Sequence, residues 1–236
     1  MGHRVDGILP PGSLSKASAE IIPMNLRPSW IDDDEFRVET LYVELPQNAG
    51  PVSECVFYHK PTSSLLVTDA VVCVPSSTEY PIQPIFSTYF DERVLSDPTF
   101  WPKTVLQAVF LPLRAESGLY PGYEALANRL VRAPILRAFA DARAPDAVRQ
   151  WVDNIVQNDK FDRIITSHFA SPISASNSLF AKAFAHLDEN ASIESLSAAL
   201  PPITCEDWST LDSLNSFIEE YKLGAPVVYD FKVGCR

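Results

Sequence analysis

The sequence is short of glycine and basic residues, and it contains no long hydrophobic run. Glycine occurs 8 times in 236 residues, whereas proline occurs 20 times. Loops that wrap a phosphate or a metal often need glycine for positive φ or close backbone approach, so this composition disfavours an elaborate loop-built active site. The apolar run at 65–74 is interrupted by Thr68 and Asp69. It is far shorter than the ~20 residues that cross a bilayer, and no transmembrane helix is predicted.

Positive charge is scarce as well. Lysine and arginine together number 19 against 30 acidic residues, which gives a formal net charge of -11. Because nucleic acids are bound by clustered basic side chains, we expect no nucleic-acid partner. The same charge disfavours direct docking on anionic lipid. An acidic surface is typical of a soluble protein, and the 46% of hydrophobic residues are enough to build a real core.

The familiar catalytic and redox motifs are missing. The four cysteines show no C-x-x-C spacing, which argues against a zinc ribbon and a redox dithiol. Cys55 and Cys73 lie in strand-like apolar runs and are predicted to be buried thiols. The sequence has no G-x-S-x-G elbow, no Walker loop and no G-x-G-x-x-G. The N-terminus lacks the apolar segment of a secretory signal.

The sequence predicts strands first, then a helical excursion that contains the predicted helices 104–111 and 123–139. A helix, a strand and two further helices follow. Alternation predicts a β-meander at the start, and spacing of three and four residues predicts the helices. The predicted strands are 36–45, 52–59, 64–74 and 161–166, and the predicted helices are 104–111, 123–139 (with a kink at Pro134), 146–158, 176–187 and 204–223. The order predicts an α/β or α+β layer architecture. We divide the chain into an extended proline-rich arm (1–35), a domain (36–188) and a C-terminal helix and tail (189–236).

Two stretches carry a resemblance to a known family. The first is 54–71, ECVFYHKPTSSLLVTDAV, and the second is 151–184, which includes FDRIITSHF at 161–169. These resemble the domain-of-unknown-function family four-three-three-six of cyanobacteria, algae and plants, which is similar in fold to the metallo-β-lactamases. The resemblance covers about residues 28–188 and lies mainly in the family's C-terminal half. It implies part of a metallo-β-lactamase-like sandwich.

The resemblance also identifies candidate site residues. Active metallo-β-lactamase relatives hold two metals with an H-x-H-x-D-H motif, but this sequence has four histidines and no H-x-H. Asp69 lies where the bridging aspartate of such enzymes would lie, and His168 lies where their last histidine would lie. We therefore expect no catalytic residue, no cofactor and no metal, with Asp69 and His168 as weak metal candidates. In the simpler alternative, Asp69 caps a turn and His168 is hydrogen-bonded at a strand end, while His59 belongs to a hairpin.

The expected function is that of a non-catalytic accessory or structural subunit. Only the second half of a two-sheet fold is recognised, and the sheet face left uncovered would need a protein partner. Because the resembled family occurs in cyanobacteria, algae and plants, the resemblance implies a subunit of a plastid complex, such as a photosynthetic one, and a chloroplast location. Peripheral association with a membrane complex is compatible with this role. One alternative is a metal-dependent hydrolase of the metallo-β-lactamase type with an eroded or partner-completed site. The other is a small-molecule binding module whose pocket wall is the aromatic connection at 80–101.

Overall fold

The computed structural model describes residues 34–43, 52–77, 83–188, 190–192, 194–196, 205–221, 226–228, 230 and 232. The strands are β1 (Phe36–Val43), β2 (Val52–His59), β3 (Ser64–Val67), β4 (Val72–Cys73), β5 (Leu130–Val131), β6 (Arg163–Thr166) and β7 (Ile173–Ser174). The α-helices are α1 (Gln83–Tyr89), α2 (Glu92–Leu95), α3 (Phe100–Ala108), α4 (Pro121–Leu126), α5 (Pro134–Leu136), α6 (Pro145–Asn158), α7 (Asn177–Lys182) and α8 (Ser209–Glu220). The mixed content confirms the predicted α+β class. The proline-rich arm lies almost wholly outside the described residues.

A five-stranded mixed sheet organises the first part of the fold. Its strand order is β1-β2-β3-β6-β7, and β4 pairs separately with β5. The β2 strand pairs antiparallel with both β1 and β3, which confirms the predicted meander. The β6 strand joins β3 in parallel after the long helical excursion. The carboxyl ends of these two adjacent strands therefore meet at one edge of the sheet.

One face of the sheet, the inner face, packs on α6. Leu65 is fully buried there between its register partners Tyr58 and Ile164. The α6 helix begins at Pro145, whose fixed φ suits a first helical turn. The helix buries a stripe of four residues against the sheet: Val148, Trp151, Val152 and Ile155. The apolar spacing of the sequence predicts one shared core of eight residues: Leu66, Val67, Val71, Trp151, Ile155, Ile164, Phe180 and Phe184. The structure confirms this for all of them except Leu66.

The prediction was wrong for Leu66, which is half-buried and belongs to neither of the two hydrophobic cores. Successive side chains of a strand point to opposite faces, so Leu66 lies on the other face of the sheet. We call this the outer face; its central row runs across four strands through Val38, Phe57, Leu66 and Ile165. The predicted strand 64–74 also ends earlier, because the chain turns after Val67 and β4 joins a different sheet.

The helical excursion forms a second core around α3, α4 and the C-terminal residues. It includes Trp101, Leu106 and Leu126, together with Trp208 and Leu211 from the predicted tail. The single helix predicted at 123–139 is wrong. The chain leaves α4 after Leu126, passes through Asn128 at φ 57, and pairs β5 with β4. This tertiary pairing outweighs the local helical spacing.

Three buried ionisable side chains connect the two cores, and we call them the buried network. The guanidinium of Arg132 donates to Asp141 (Nη2 to Oδ1, 2.8 Å) and to the carbonyl oxygen of Ala70 (2.9 Å). His186 Nε2 lies 2.9 Å from the second oxygen of Asp141. Burial lowers the pKa of His186 to about 4. The hydrogen bond to Asp141 acts in the opposite direction, but it only partly offsets the effect of burial. Burial would raise the pKa of Asp141, but Arg132 and the hydrogen bond from His186 outweigh it and lower the pKa to about 2.

The longest described helix is α6, with 14 residues. In the part of the chain that the structure covers, no helix combines the length and apolarity needed to cross a membrane.

Candidate functional site

The two residues singled out from the sequence meet at the carboxyl edge of the sheet. Asp69 follows β3 by two residues and His168 follows β6 by two residues. Because β3 and β6 are parallel neighbours, both turns emerge at the same place. Asp69 Oδ1 lies 2.6 Å from His168 Nδ1, although the residues are 99 positions apart. We call them the Asp–His pair.

The turn that carries Asp69 is held by a buried carboxylate on β2. Glu54 is only 4% exposed and lies on the inner face of the sheet. Its oxygens accept from the Thr68 amide (3.0 Å), the Thr68 hydroxyl (2.6 Å) and the Asp69 amide (3.4 Å). On the other side, Arg132 donates to the Ala70 carbonyl oxygen. The Asp69 turn is therefore fixed from two directions before any ligand arrives.

The turn that carries His168 is held by backbone and hydroxyl contacts. The Thr166 hydroxyl donates to the Ala170 carbonyl oxygen at 2.7 Å, and the Ala170 amide donates to the Cys73 carbonyl oxygen at 3.0 Å. The backbone reverses at Phe169, which has φ 64. These contacts tie the His168 turn to β4 of the second sheet.

The chemistry of the Asp–His pair follows from its hydrogen bond. When neutral imidazole donates its Nδ1 proton to Asp69, Nε2 of His168 becomes a hydrogen-bond acceptor. The side chains are 43% exposed for Asp69 and 63% exposed for His168, so Nε2 belongs to an accessible group. This arrangement is found both in general bases and in histidines that bind a metal.

Metal binding would need more donors than the pair supplies. Among the described residues, no group of three or more histidine, cysteine, aspartate or glutamate side chains is placed to hold an ion. Asp69 and His168 contact each other directly instead of lying on either side of a shared position. The assignment of both as weak metal candidates stays a prediction.

A cavity of about 640 Å³ opens beside the pair. Most of its wall is apolar, and its polar side chains are Asp69, Thr104, Ser167 and His168. The apolar wall consists of Val72, Ile85, Phe86, Trp101, Ala108, Val109, Phe110, Ala133, Ile135, Leu136 and Phe169. Within the described chain, no lysine or arginine lines it. The cavity is therefore a largely apolar chamber; we call the part lined by Asp69, Ser167 and His168 its polar end, and Thr104 on α3 is the other polar lining residue.

Aromatic contacts give the chamber a firm wall. The ring of Trp101 lies 5.9 Å from that of Phe86 and 6.3 Å from that of Phe169, both in tilted or edge-on geometry. Its indole nitrogen donates to the Pro75 carbonyl oxygen at 2.8 Å. Phe86 and Trp101 belong to the aromatic connection that the sequence suggested as a pocket wall. Tyr80 of the same connection lies outside the described residues.

Two lining phenylalanines have an unusual backbone. Phe110 has φ 62 and Phe169 has φ 64, in the left-handed region that favours glycine. Such a conformation costs a bulky residue roughly 1–3 kcal/mol and persists only where the surrounding structure imposes it. Phe110 follows α3 and its amide donates to the Gln107 carbonyl oxygen at 3.3 Å, in the position that a glycine commonly takes after a helix. Both residues line the same cavity.

The remaining histidines lie elsewhere. His59 ends β2 and contacts the Thr62 hydroxyl at 2.6 Å and Glu35 at 3.2 Å, as a hairpin residue would. His186 belongs to the buried network, and His3 lies outside the described residues. Cys55 and Cys73 were predicted to be buried; both are free thiols and are half-buried.

The fold and cavity define an α+β protein with a preformed apolar chamber. Residues 106–186 match the model of a family described as a Domain of unknown function (DUF4336). The matched segment includes His168 but not Asp69, and it spans about a third of the chain. No protein of curated function and no solved structure matches the chain. The link to metallo-β-lactamases and to oxygenic phototrophs stays a prediction.

Proposed function

We propose that this chain is a non-catalytic binding protein that holds a small, largely apolar molecule beside the Asp–His pair. The observation that carries the proposal is the aromatic-walled cavity of about 640 Å³. Ligand sites typically occupy roughly 300–1,000 Å³ and combine apolar walls with a few polar groups that fix orientation. The left-handed Phe110 and Phe169 support the proposal, since strain is retained where a site requires it.

The Asp–His pair fits an orienting role better than a hydrolytic one. A metal-dependent hydrolase activates water on an ion held by several protein donors. Here the Asp69 carboxylate is already bonded to His168 at 2.6 Å, and both lie at the polar end of the chamber. A single hydrogen-bond acceptor, Nε2 of His168, at the end of an apolar cavity can fix the orientation of a bound ligand.

Filling the cavity should weaken the binding of an apolar probe. Titration with the neutral fluorescent dye N-phenyl-1-naphthylamine is expected to give saturable binding to one site. Ala108→Phe places a ring on a lining position of α3 and should weaken binding at least tenfold, which corresponds to about 1.4 kcal/mol.

The matched control is Gln107→Phe. Gln107 is the preceding residue on the same helix and is also exposed, but it does not line the cavity. Its affinity for the dye should equal that of the unmodified chain. Absence of saturable binding, or an equal loss in both variants, would reject the proposal.

A second candidate is the accessory-subunit role implied by the resemblance. It is supported by the outer face of the sheet, where Phe57 and Leu66 are half-buried and Ile165 is 37% exposed. None of the three belongs to either core of the described residues. Light scattering on the purified chain checks this role: a monodisperse monomer that binds no apolar dye at this face would count against it. The variant Ile165→Lys distinguishes dye binding at the outer face from dye binding in the cavity, because Ile165 does not line the cavity.

A further inference from the structure

The polar end of the chamber restricts the chemistry of its ligand. On the basis of the proposed binding function, we infer that the ligand is an uncharged apolar alcohol or phenol whose hydroxyl group donates to Nε2 of His168. Asp69 holds the imidazole through Nδ1, at 2.6 Å, so that the accepting nitrogen of neutral His168 is Nε2. Asp69 itself is fixed by Glu54, which accepts hydrogen bonds from the Thr68 and Asp69 amides.

An anionic ligand would find no counter-ion there. The described lining contains no lysine or arginine, and Asp69 already offsets any positive charge on His168. The chain has a net charge of -11, which adds a general repulsion for anions. Burying a carboxylate without a partner costs far more than burying a hydroxyl group that has one.

A cationic ligand is disfavoured for a different reason. The aromatic wall could attract a cation, but the only acidic side chain of the described lining is Asp69, whose Oδ1 is engaged by His168. A cation would have to be desolvated in a chamber whose other polar side chains, Thr104, Ser167 and His168, carry no negative charge. A neutral hydroxyl group needs one acceptor, and Nε2 provides it.

Aromatic walls favour a flat apolar body, so naphthalene derivatives make suitable probes. Four are compared by calorimetry at mildly alkaline pH: 2-naphthol, 2-methoxynaphthalene, 2-naphthoate and 2-naphthylmethylammonium. The first two differ chiefly in the donated proton. We expect 2-naphthol to bind about tenfold more tightly than 2-methoxynaphthalene, since about 1.4 kcal/mol is within the range of one hydrogen bond. The two charged probes should bind more weakly than either.

The variant His168→Leu identifies the acceptor. It should remove the preference for 2-naphthol while leaving the affinity for 2-methoxynaphthalene within about twofold, because the aromatic wall is unchanged. His168 is 63% exposed, so the substitution spares the cores. A merely structural role of His168 would weaken both probes equally.

Each other outcome has one meaning. If none of the probes binds, the binding function itself is wrong. If 2-naphthol and 2-methoxynaphthalene bind equally in both proteins, the chamber binds apolar molecules but the inference about the hydroxyl group is overturned. If the carboxylate or the ammonium probe binds most tightly, the ligand is charged and the inference is likewise overturned.

Discussion

Lowering the pH from about 8 to about 4 is expected to reduce the free energy of unfolding by about 3 kcal/mol through His186 alone. The native pKa of this buried side chain is about 4, below its ordinary value of 6.5. Between these values the unfolded chain binds a proton that the native chain does not. The stabilisation is therefore complete above pH 6.5 and is lost as the pH falls toward 4. Asp141 acts in the same direction at lower pH, since its pKa falls from 3.8 to about 2.

Denaturant unfolding across this pH range, with and without His186→Gln, tests the expectation. The glutamine amide can still donate to Asp141 but does not titrate. The variant should be less stable near neutral pH and should lose less stability on acidification, so that the two proteins converge toward pH 4. Parallel pH profiles would show that protonation of His186 does not control acid unfolding.

Leu65→Ala is expected to lower the free energy of unfolding by about 2–5 kcal/mol. The side chain is fully buried on the inner face, opposite α6, and its removal leaves a cavity in the first core. The adjacent Leu66→Ala should cost about 1 kcal/mol or less, because that half-buried side chain lies on the outer face.

Chemical denaturation of both variants provides the measurement, and each variant serves as the control for the other. The substitutions remove the same atoms from neighbouring positions of β3, so local strand propensity cancels in the comparison. Equal losses would mean that β3 is buried on both faces and would contradict the placement of Leu66 on a half-buried outer face.

Local pattern predicts the elements of this chain wherever local and tertiary preferences agree. The predicted helix 146–158 corresponds to α6, since its apolar stripe is also its packing surface. The predicted strand 52–59 matches β2. The pattern fails at 123–139, where the pairing of β5 with β4 and the left-handed Asn128 divide the segment. No local signal reports a partner strand that lies more than 50 residues away.

The candidate site could be predicted only in part. Asp69 and His168 were identified because they follow two strands and match positions in the resembled family, and the structure brings them into contact. The sequence contained no sign that Phe110 and Phe169 adopt positive φ, because glycine and asparagine are the residues that usually reveal it. The role of Glu54 was equally hidden, since only the folded sheet places its carboxylate beneath the Asp69 turn.

The chamber lies where two separately packed parts of the molecule meet. Its polar end is carried by turns that extend from the sheet, at Asp69 and His168, whereas much of its apolar wall is carried by the helical excursion. If the proposed binding function holds, substitutions in α1 or α3 would reshape the volume of the cavity without moving Asp69 and His168. In such a scaffold, the choice of bound molecule could change gradually, one substitution at a time. One part of the chain determines the shape of the cavity, and another part determines the orientation of the ligand.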